Sequence, residues 1–352
     1  VSEPSAQKAG NFFEDFKLGQ VIRHATPRTI TAGDVAVYNG IFGPRFAVQS
    51  SDAFAQKIGY PRSPVDDLLV FHVVFGKTVP DISLNAAANL GYADCRFLKA
   101  VYPGDTLNSV SEVIGLKENS NRKTGIVYVR SRGFDQGGDV VLDYARWVMV
   151  RKRDESAPAP AERVPNLPKS VDPSALGKAC PAINISAYDN ELAGSARRFG
   201  NYKAGEKIDH VDGFTVEEAE HQIATRLYQN TARIHFNQFA ESKGRFGRRL
   251  IYGGHAISLA RTLTFNGFAN AFHVAAINGG RHVNPLFAGC TVFAWSQILE
   301  CAQIPNRKDV GALRLRTIAT KDKPCADFPD KAGDEYDPAV VLDLDYWVLV
   351  PA

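Results

Sequence analysis

Val140-Val141-Leu142-Asp143-Tyr144-Ala145-Arg146-Trp147-Val148-Met149-Val150 returns 200 residues later as Val340-Val341-Leu342-Asp343-Leu344-Asp345-Tyr346-Trp347-Val348-Leu349-Val350. Both segments open Val-Val-Leu-Asp and close Trp-Val-x-Val. A second pair lies upstream. Phe16-Lys17-Leu18-Gly19-Gln20-Val21-Ile22-Arg23-His24 corresponds, at an offset of 186, to Tyr202-Lys203-Ala204-Gly205-Glu206-Lys207-Ile208-Asp209-His210. Two matches in the same order mark an internal repeat of domain size. The change of offset calls for a longer loop in the second copy, expected in the Lys-, Asp-, Pro- and Gly-rich stretch around residues 320–335.

The copies are separated by a proline-rich segment that includes Ala157-Pro158-Ala159-Pro160 and prolines 165, 168, 173 and 181. Such composition favours an extended linker. The expected organisation is an N-terminal domain at 1–152, a linker at 153–185 and a C-terminal domain at 186–352. In each copy an apolar helix, Asp67–Val79 or Gly254–Asn266, precedes strands such as Ala312–Thr317, where polar and apolar residues alternate. The second helix is apolar on most faces (Ala256, Ile257, Leu259, Ala260, Leu263), which predicts burial. One long buried helix wrapped by an antiparallel sheet is an α+β arrangement, the hot-dog fold. The chain reads as a tandem, or double, hot-dog.

Bulk properties exclude several classes. The chain has 352 residues, 45% hydrophobic and 22% charged, with a net charge of +3. No dense Lys/Arg block suggests nucleic acid, and no apolar run approaches the ~20 residues of a membrane span. Val1–Phe12 is polar and lacks the pattern of a signal peptide. The five cysteines (Cys95, Cys180, Cys290, Cys301, Cys325) form no C-x-x-C pair, which fits a reducing cytoplasm without zinc or a disulfide framework.

The second copy carries Gln229-Asn230-Thr231-Ala232-Arg233-Ile234-His235 and then Ile251-Tyr252-Gly253-Gly254 at the start of its helix. This resembles the MaoC-like family of (R)-specific enoyl-CoA hydratases, whose signature is Gly-Asp-x-Asn-Pro-x-His followed by Ile-x-His-Gly. The histidine and second glycine stand where the family has them; Asn230 replaces the aspartate. Asn284–Thr291 and Ala100–Thr106 look like the family's Pro-Val-x-x-Gly-Asp-Thr strand turn. Over nearly all of both copies the chain is more similar to one subgroup, the mesaconyl-CoA hydratases or β-methylmalyl-CoA dehydratases. Phe71–Asn85, Gln229–Phe236, Arg249–Arg261 and Val341–Val350 carry that similarity. The resemblance implies reversible hydration of mesaconyl-CoA, an acyl-CoA substrate, and neither cofactor nor metal.

Hydrating an enoyl thioester requires activated water at Cβ, a proton at Cα and a stabilised thioester oxygen. His235 can exchange a proton near neutral pH. Asn230 cannot be a base, but its amide can orient water or hold the imidazole. Gly253 and Gly254 would present free N–H groups at a helix start to the oxygen. A histidine among apolar residues is by itself more often a core group, and Gly-Gly may be only a tight turn; the family motif tips both toward catalysis. Tyr252, His255 and His282 are candidates to line the pocket. His24 and His210 occupy matching repeat positions and read as structural. For the carboxylate of a dicarboxylic acyl group the candidates are Arg233, Arg261 and, first, Arg281. In the first copy Pro44, Gln49 and Leu68 stand opposite Asn230, His235 and Gly254, so that half is expected to be catalytically degenerate. A hydratase of broader acyl range, a hot-dog thioesterase and a non-catalytic acyl-CoA-binding protein are the alternatives. A double hot-dog allows a homo-oligomer without requiring one.

Overall fold

A computed structural model describes residues 10–352. The first nine residues of the polar N-terminus read above for a signal peptide lie outside the described residues. The strands are β1 (Val21–Arg23), β2 (Arg28–Thr29), β3 (Ala86–Phe97), β4 (Thr106–Glu118), β5 (Thr124–Phe134), β6 (Val140–Arg151), β7 (Lys207–Thr215), β8 (His273–His282), β9 (Thr291–Gln303), β10 (Val310–Lys321) and β11 (Val340–Pro351). Together they form one eleven-stranded sheet in the order β1-β4-β5-β6-β3-β8-β11-β10-β9-β7, with β2 beside β4. All its pairings are antiparallel. The halves meet where β3 pairs β8, with Cys95 opposite Ile277 and Arg96 opposite Ala276.

Each half wraps its sheet around a central helix, Asp67–Thr78 in the first and Gly253–Leu263 in the second. Every residue from Leu68 to Thr78, and from Gly254 to Leu263, is buried. Both helices are therefore covered on all sides, as an all-round apolar composition requires. Burying side chains such as Leu69, Val74 and Ile257 is worth roughly 1.5–3 kcal/mol each. The fold is an α+β double hot-dog.

The repeat persists in side-chain detail. On the outer face Asp143 accepts from Arg130 Nε at 2.8 Å, and Asp343 accepts from Arg316 Nε at 3.0 Å. His24 Nε2 meets Ser111 Oγ at 2.7 Å, and His210 Nε2 meets Ser296 Oγ at 2.8 Å. Both histidines are buried and held in these networks. The extra residues of the second copy form a small hairpin between β10 and β11, pairing Lys331–Ala332 with Glu335–Tyr336.

The segment between the copies has only short helical turns, such as Pro173–Ala175 and Ile185–Ala187. It is nonetheless anchored. Val171, Leu176, Cys180, Ile183 and Tyr188 are buried in a cluster with Phe54, Phe272 and Trp347. The N–H of Val171 donates to Asn278 Oδ1 at 2.8 Å.

Candidate active site

The helix Glu218–Leu227 delivers the chain to Tyr228 and Gln229, and Gln229 takes a left-handed conformation with φ 53°. That turn lets Asn230 fold inward, where only 5% of it is exposed. The first half's central helix presses on this corner at Gly76. A Cβ there would stand 2.0 Å from the carbonyl oxygen of Tyr228, so only glycine permits the approach. Next to it, Lys77 Nζ donates to the Thr26 carbonyl and to Gln229 Oε1, the latter at 3.1 Å. A groove of about 410 Å³ runs past Thr26, Lys77, Thr225, Arg226, Asn230 and Thr231.

His235 ends a short 3-10 turn, Arg233–His235. Its Nδ1 lies 2.9 Å from the carbonyl oxygen of Leu250. A carbonyl only accepts, so Nδ1 carries the proton and Nε2 keeps its lone pair. The loop holds this pose from both sides, with Leu250 N–H on the Ile234 carbonyl at 3.0 Å and Gln222 Nε2 on the His235 carbonyl at 2.8 Å. Burial disfavours the imidazolium and pushes the pKa down to about 4, against a weaker opposing contribution from Leu250.

Asn230 does not hold the imidazole. Its Oδ1 accepts the N–H of Ala232 at 3.0 Å, and no hydrogen bond joins it to His235. The ring is oriented by a backbone carbonyl instead, which leaves the Asn230 amide facing the groove.

The second central helix begins at Gly253 after Tyr252, whose side chain does not cap it. The first-turn N–H groups of Gly253 and Gly254 thus have no side-chain cap. The first half shows the closed version. There Asp66 caps the helix by accepting the Leu68 N–H at 2.8 Å, and Asp67 accepts the Val274 N–H at 2.8 Å. The open start is fixed by His221, whose Nε2 accepts the Tyr252 N–H at 2.9 Å. A Cβ on Gly254 would lie 2.3 Å from the Tyr252 ring and 2.5 Å from His72 Cε1; one on Gly253 would lie 2.4 Å from His282 Cε1. The His235 and Tyr252 rings are 5.5 Å apart, and the His235 and His221 rings 6.1 Å.

The family model described as mesaconyl-CoA hydratase matches residues 2–327. The chain belongs to the mesaconyl-CoA hydratase family. It is 63% identical to a β-methylmalyl-CoA dehydratase of Chloroflexus aurantiacus, covering 97% of each chain. It is 57% identical to a mesaconyl-CoA hydratase of Cereibacter sphaeroides, covering 97% of this chain and 98% of the other. A crystal structure of a MaoC domain dehydratase from Chloroflexus aurantiacus superposes with a TM-score of 0.96 at 62% identity, covering 99% of each chain.

In this member of the mesaconyl-CoA hydratase family, His235, Tyr252, Gly253, Gly254 and His282 converge, with Asn230 on the same loop as His235. His282 reaches the start of the helix from β8, and its Nε2 lies 3.3 Å from the hydroxyl of Tyr92. His255 is 1% exposed and sits behind His221, their rings 5.4 Å apart, with neither ring nitrogen hydrogen-bonded. The arginines chosen from sequence are not brought in. Arg281 is exposed on β8 opposite Asp343, beside Tyr336, on the outer face. Arg233 is exposed, and Arg261 is buried over the Phe46 ring while donating to Thr264 Oγ1 at 2.8 Å. Gln49 donates to the Phe272 carbonyl and so ties the first half to the second.

Two contributors escaped the sequence reading. Leu250 acts through its carbonyl, which no side-chain pattern reveals. His221 had a faint signal, since with Ala224, Thr225 and Leu227 it forms the buried face of an amphipathic helix.

Proposed function

We propose that the chain reversibly adds water to mesaconyl-CoA, giving β-methylmalyl-CoA, with the chemistry in its C-terminal half. The reading is supported by the relatives' activities and carried by one observation: a histidine whose Nε2 is held unprotonated beside an uncapped helix start. The thioester oxygen takes the N–H groups of Gly253 and Gly254 as it gains enolate charge. His235 Nε2 removes a proton from water while the hydroxide adds to Cβ. The imidazolium so formed returns that proton to Cα, which balances the addition. Asn230, at the groove, orients the water. Tyr252 and His282 shape the pocket around the acyl group, and His255 packs behind His221.

Water, side chains and backbone N–H groups suffice for every step, so the reaction is proposed without metal or cofactor. No helix among the described residues is long and apolar enough to cross a membrane. All five cysteines are unpaired, which supports a cytoplasmic setting.

The test is the absorbance of the enoyl thioester when mesaconyl-CoA is mixed with the protein. Loss of absorbance without release of free thiol is expected. Stoichiometric thiol release would assign a thioesterase, and an unchanged spectrum would overturn the reading.

A further inference from the structure

Arg146, on β6 of the half that lacks the catalytic residues, is 0% exposed. Its guanidinium lies 4.2 Å from the centre of the Phe75 ring. Nη2 donates to Thr78 Oγ1 at 2.8 Å and to Ser83 Oγ at 3.5 Å. Nε and Nη1 have no hydrogen-bond partner. Among the described residues no carboxylate lies within ion-pair distance of it; the groups acting on it electrostatically are Tyr144, Tyr92 and Tyr252. Arginine cannot shed its charge in a protein. A fully buried, unpaired guanidinium with two idle donors lacks a counter-anion.

The contrast with Arg261 sharpens this. Arg261, on the second central helix, donates to the threonine at that helix's end, Thr264, as Arg146 on β6 donates to the corresponding Thr78. Arg261, however, feels the carboxylates of Asp66 and Asp67. Arg146 has no such neighbour.

Its location points to the missing anion. Arg146 is directly opposite Tyr92 across the β3–β6 pairing. The Tyr92 hydroxyl reaches His282, and His282 packs on Gly253. Phe75, beneath the guanidinium, also meets the Tyr252 ring at 5.9 Å. One continuous wall therefore runs from the open helix start through His282 and Tyr92 to Arg146.

We propose that Arg146 binds the free carboxylate of the acyl group, so that the first half reads the substrate on which the second half acts. This rests on the hydratase reading above. With the thioester oxygen at Gly253–Gly254, the acyl chain extends along the wall and brings its carboxylate to one of the two idle donors, Nε or Nη1, as a charge-assisted hydrogen bond.

The experiment compares mesaconyl-CoA with tigloyl-CoA, which carries a methyl in place of the carboxylate. In Arg146→Met, kcat/KM for mesaconyl-CoA should fall at least about tenfold more than for tigloyl-CoA, the loss of one charge-assisted contact. Arg146→Lys should recover part of that difference. Equal losses on both substrates would make Arg146 a packing residue and overturn the proposal. Should Arg146→Met fail to fold, a crystal structure of the wild-type protein with methylsuccinyl-CoA decides: the carboxylate on Arg146 supports the proposal, and the carboxylate on Lys77 or in solvent overturns it. A wild-type protein that hydrates tigloyl-CoA but not mesaconyl-CoA would sink the parent reading as well; one that hydrates mesaconyl-CoA with an unchanged ratio in Arg146→Met would sink only this one.

Discussion

His221 Nε2 accepts the backbone N–H of Tyr252, and so one buried imidazole sets the residue from which the helix start at Gly253 departs. His221→Phe keeps a ring in the site but leaves that N–H without a partner. The helix start should shift, and small displacements of an oxyanion site can cost up to about 10²-fold. A fall in kcat with little change in KM is the expected pattern in steady-state assays. An unaltered kcat would mean that the helix start does not depend on this bond.

The tautomer of His235 makes it a base at neutral pH. His235→Gln should lower turnover about 10²–10⁴-fold while the protein stays folded. Because burial holds the imidazole pKa near 4, the acid limb of the wild-type pH–rate profile should lie well below the ordinary histidine value. A limb near 6.5 would identify a different group as the base.

Asn230→Asp places a carboxylate on the same loop as His235. An opposite charge stabilises the imidazolium and raises its pKa, so the acid limb should move up in pH. The variant should remain active, since an aspartate is the wider family's residue at this position, and Asn230→Ala should be the slower of the two. Identical acid limbs in wild type and Asn230→Asp would place position 230 too far away to sense the ring.

Gly254→Ala tests the helix start sterically. Its Cβ meets the Tyr252 and His72 rings well inside contact distance. Overpacking of this kind costs about 1–3 kcal/mol. Reduced thermal stability and a fall in kcat are expected together. If kcat survived while stability fell, the N–H of Gly254 would not serve the oxygen.

Six histidines, four buried and two (His235 and His282) half-buried, bear on acid stability. Burial lowers the pKa of His72 and His255 to about 3, of His210, His235 and His282 to about 4, and of His221 to about 2. Each is ordinary in the unfolded chain, near 6.5. Above that pH neither state binds these protons and the effect vanishes. Between about 6.5 and 4 the unfolded chain binds more protons, so stability must decline as pH falls. Thermal melts across pH 7.5 to 4.5 should show the melting temperature dropping steadily below pH 6.5. A flat profile would mean that these rings are not buried as neutral groups.

The fold was legible because the repeat, the linker composition and the two apolar helices agree with one another, and local patterns of that kind are written in residue type. His235, Gly253 and Gly254 were legible through a spaced motif. The anion-binding arginine was not, for a physical reason. Proximity to the motif in sequence favours Arg281, yet Arg281 faces outward on β8, while Arg146 reaches the wall through strand pairing with Tyr92. Register between distant strands has no local signature. Of the two roles open to Asn230, orienting water or holding the imidazole, the second is filled by the Leu250 carbonyl, and a backbone carbonyl can do that work from any residue type.

The pairing of β3 with β8 gives the two copies a shared sheet and separate genetic fates. In a symmetric pair of identical chains, a substitution that reshapes one acyl pocket also reshapes the other. Here Asp66 closes one helix start while Tyr252 leaves its counterpart open, and Arg146 has Tyr346 as its counterpart in the second copy. Covalent joining lets one copy abandon chemistry without taking chemistry from its twin.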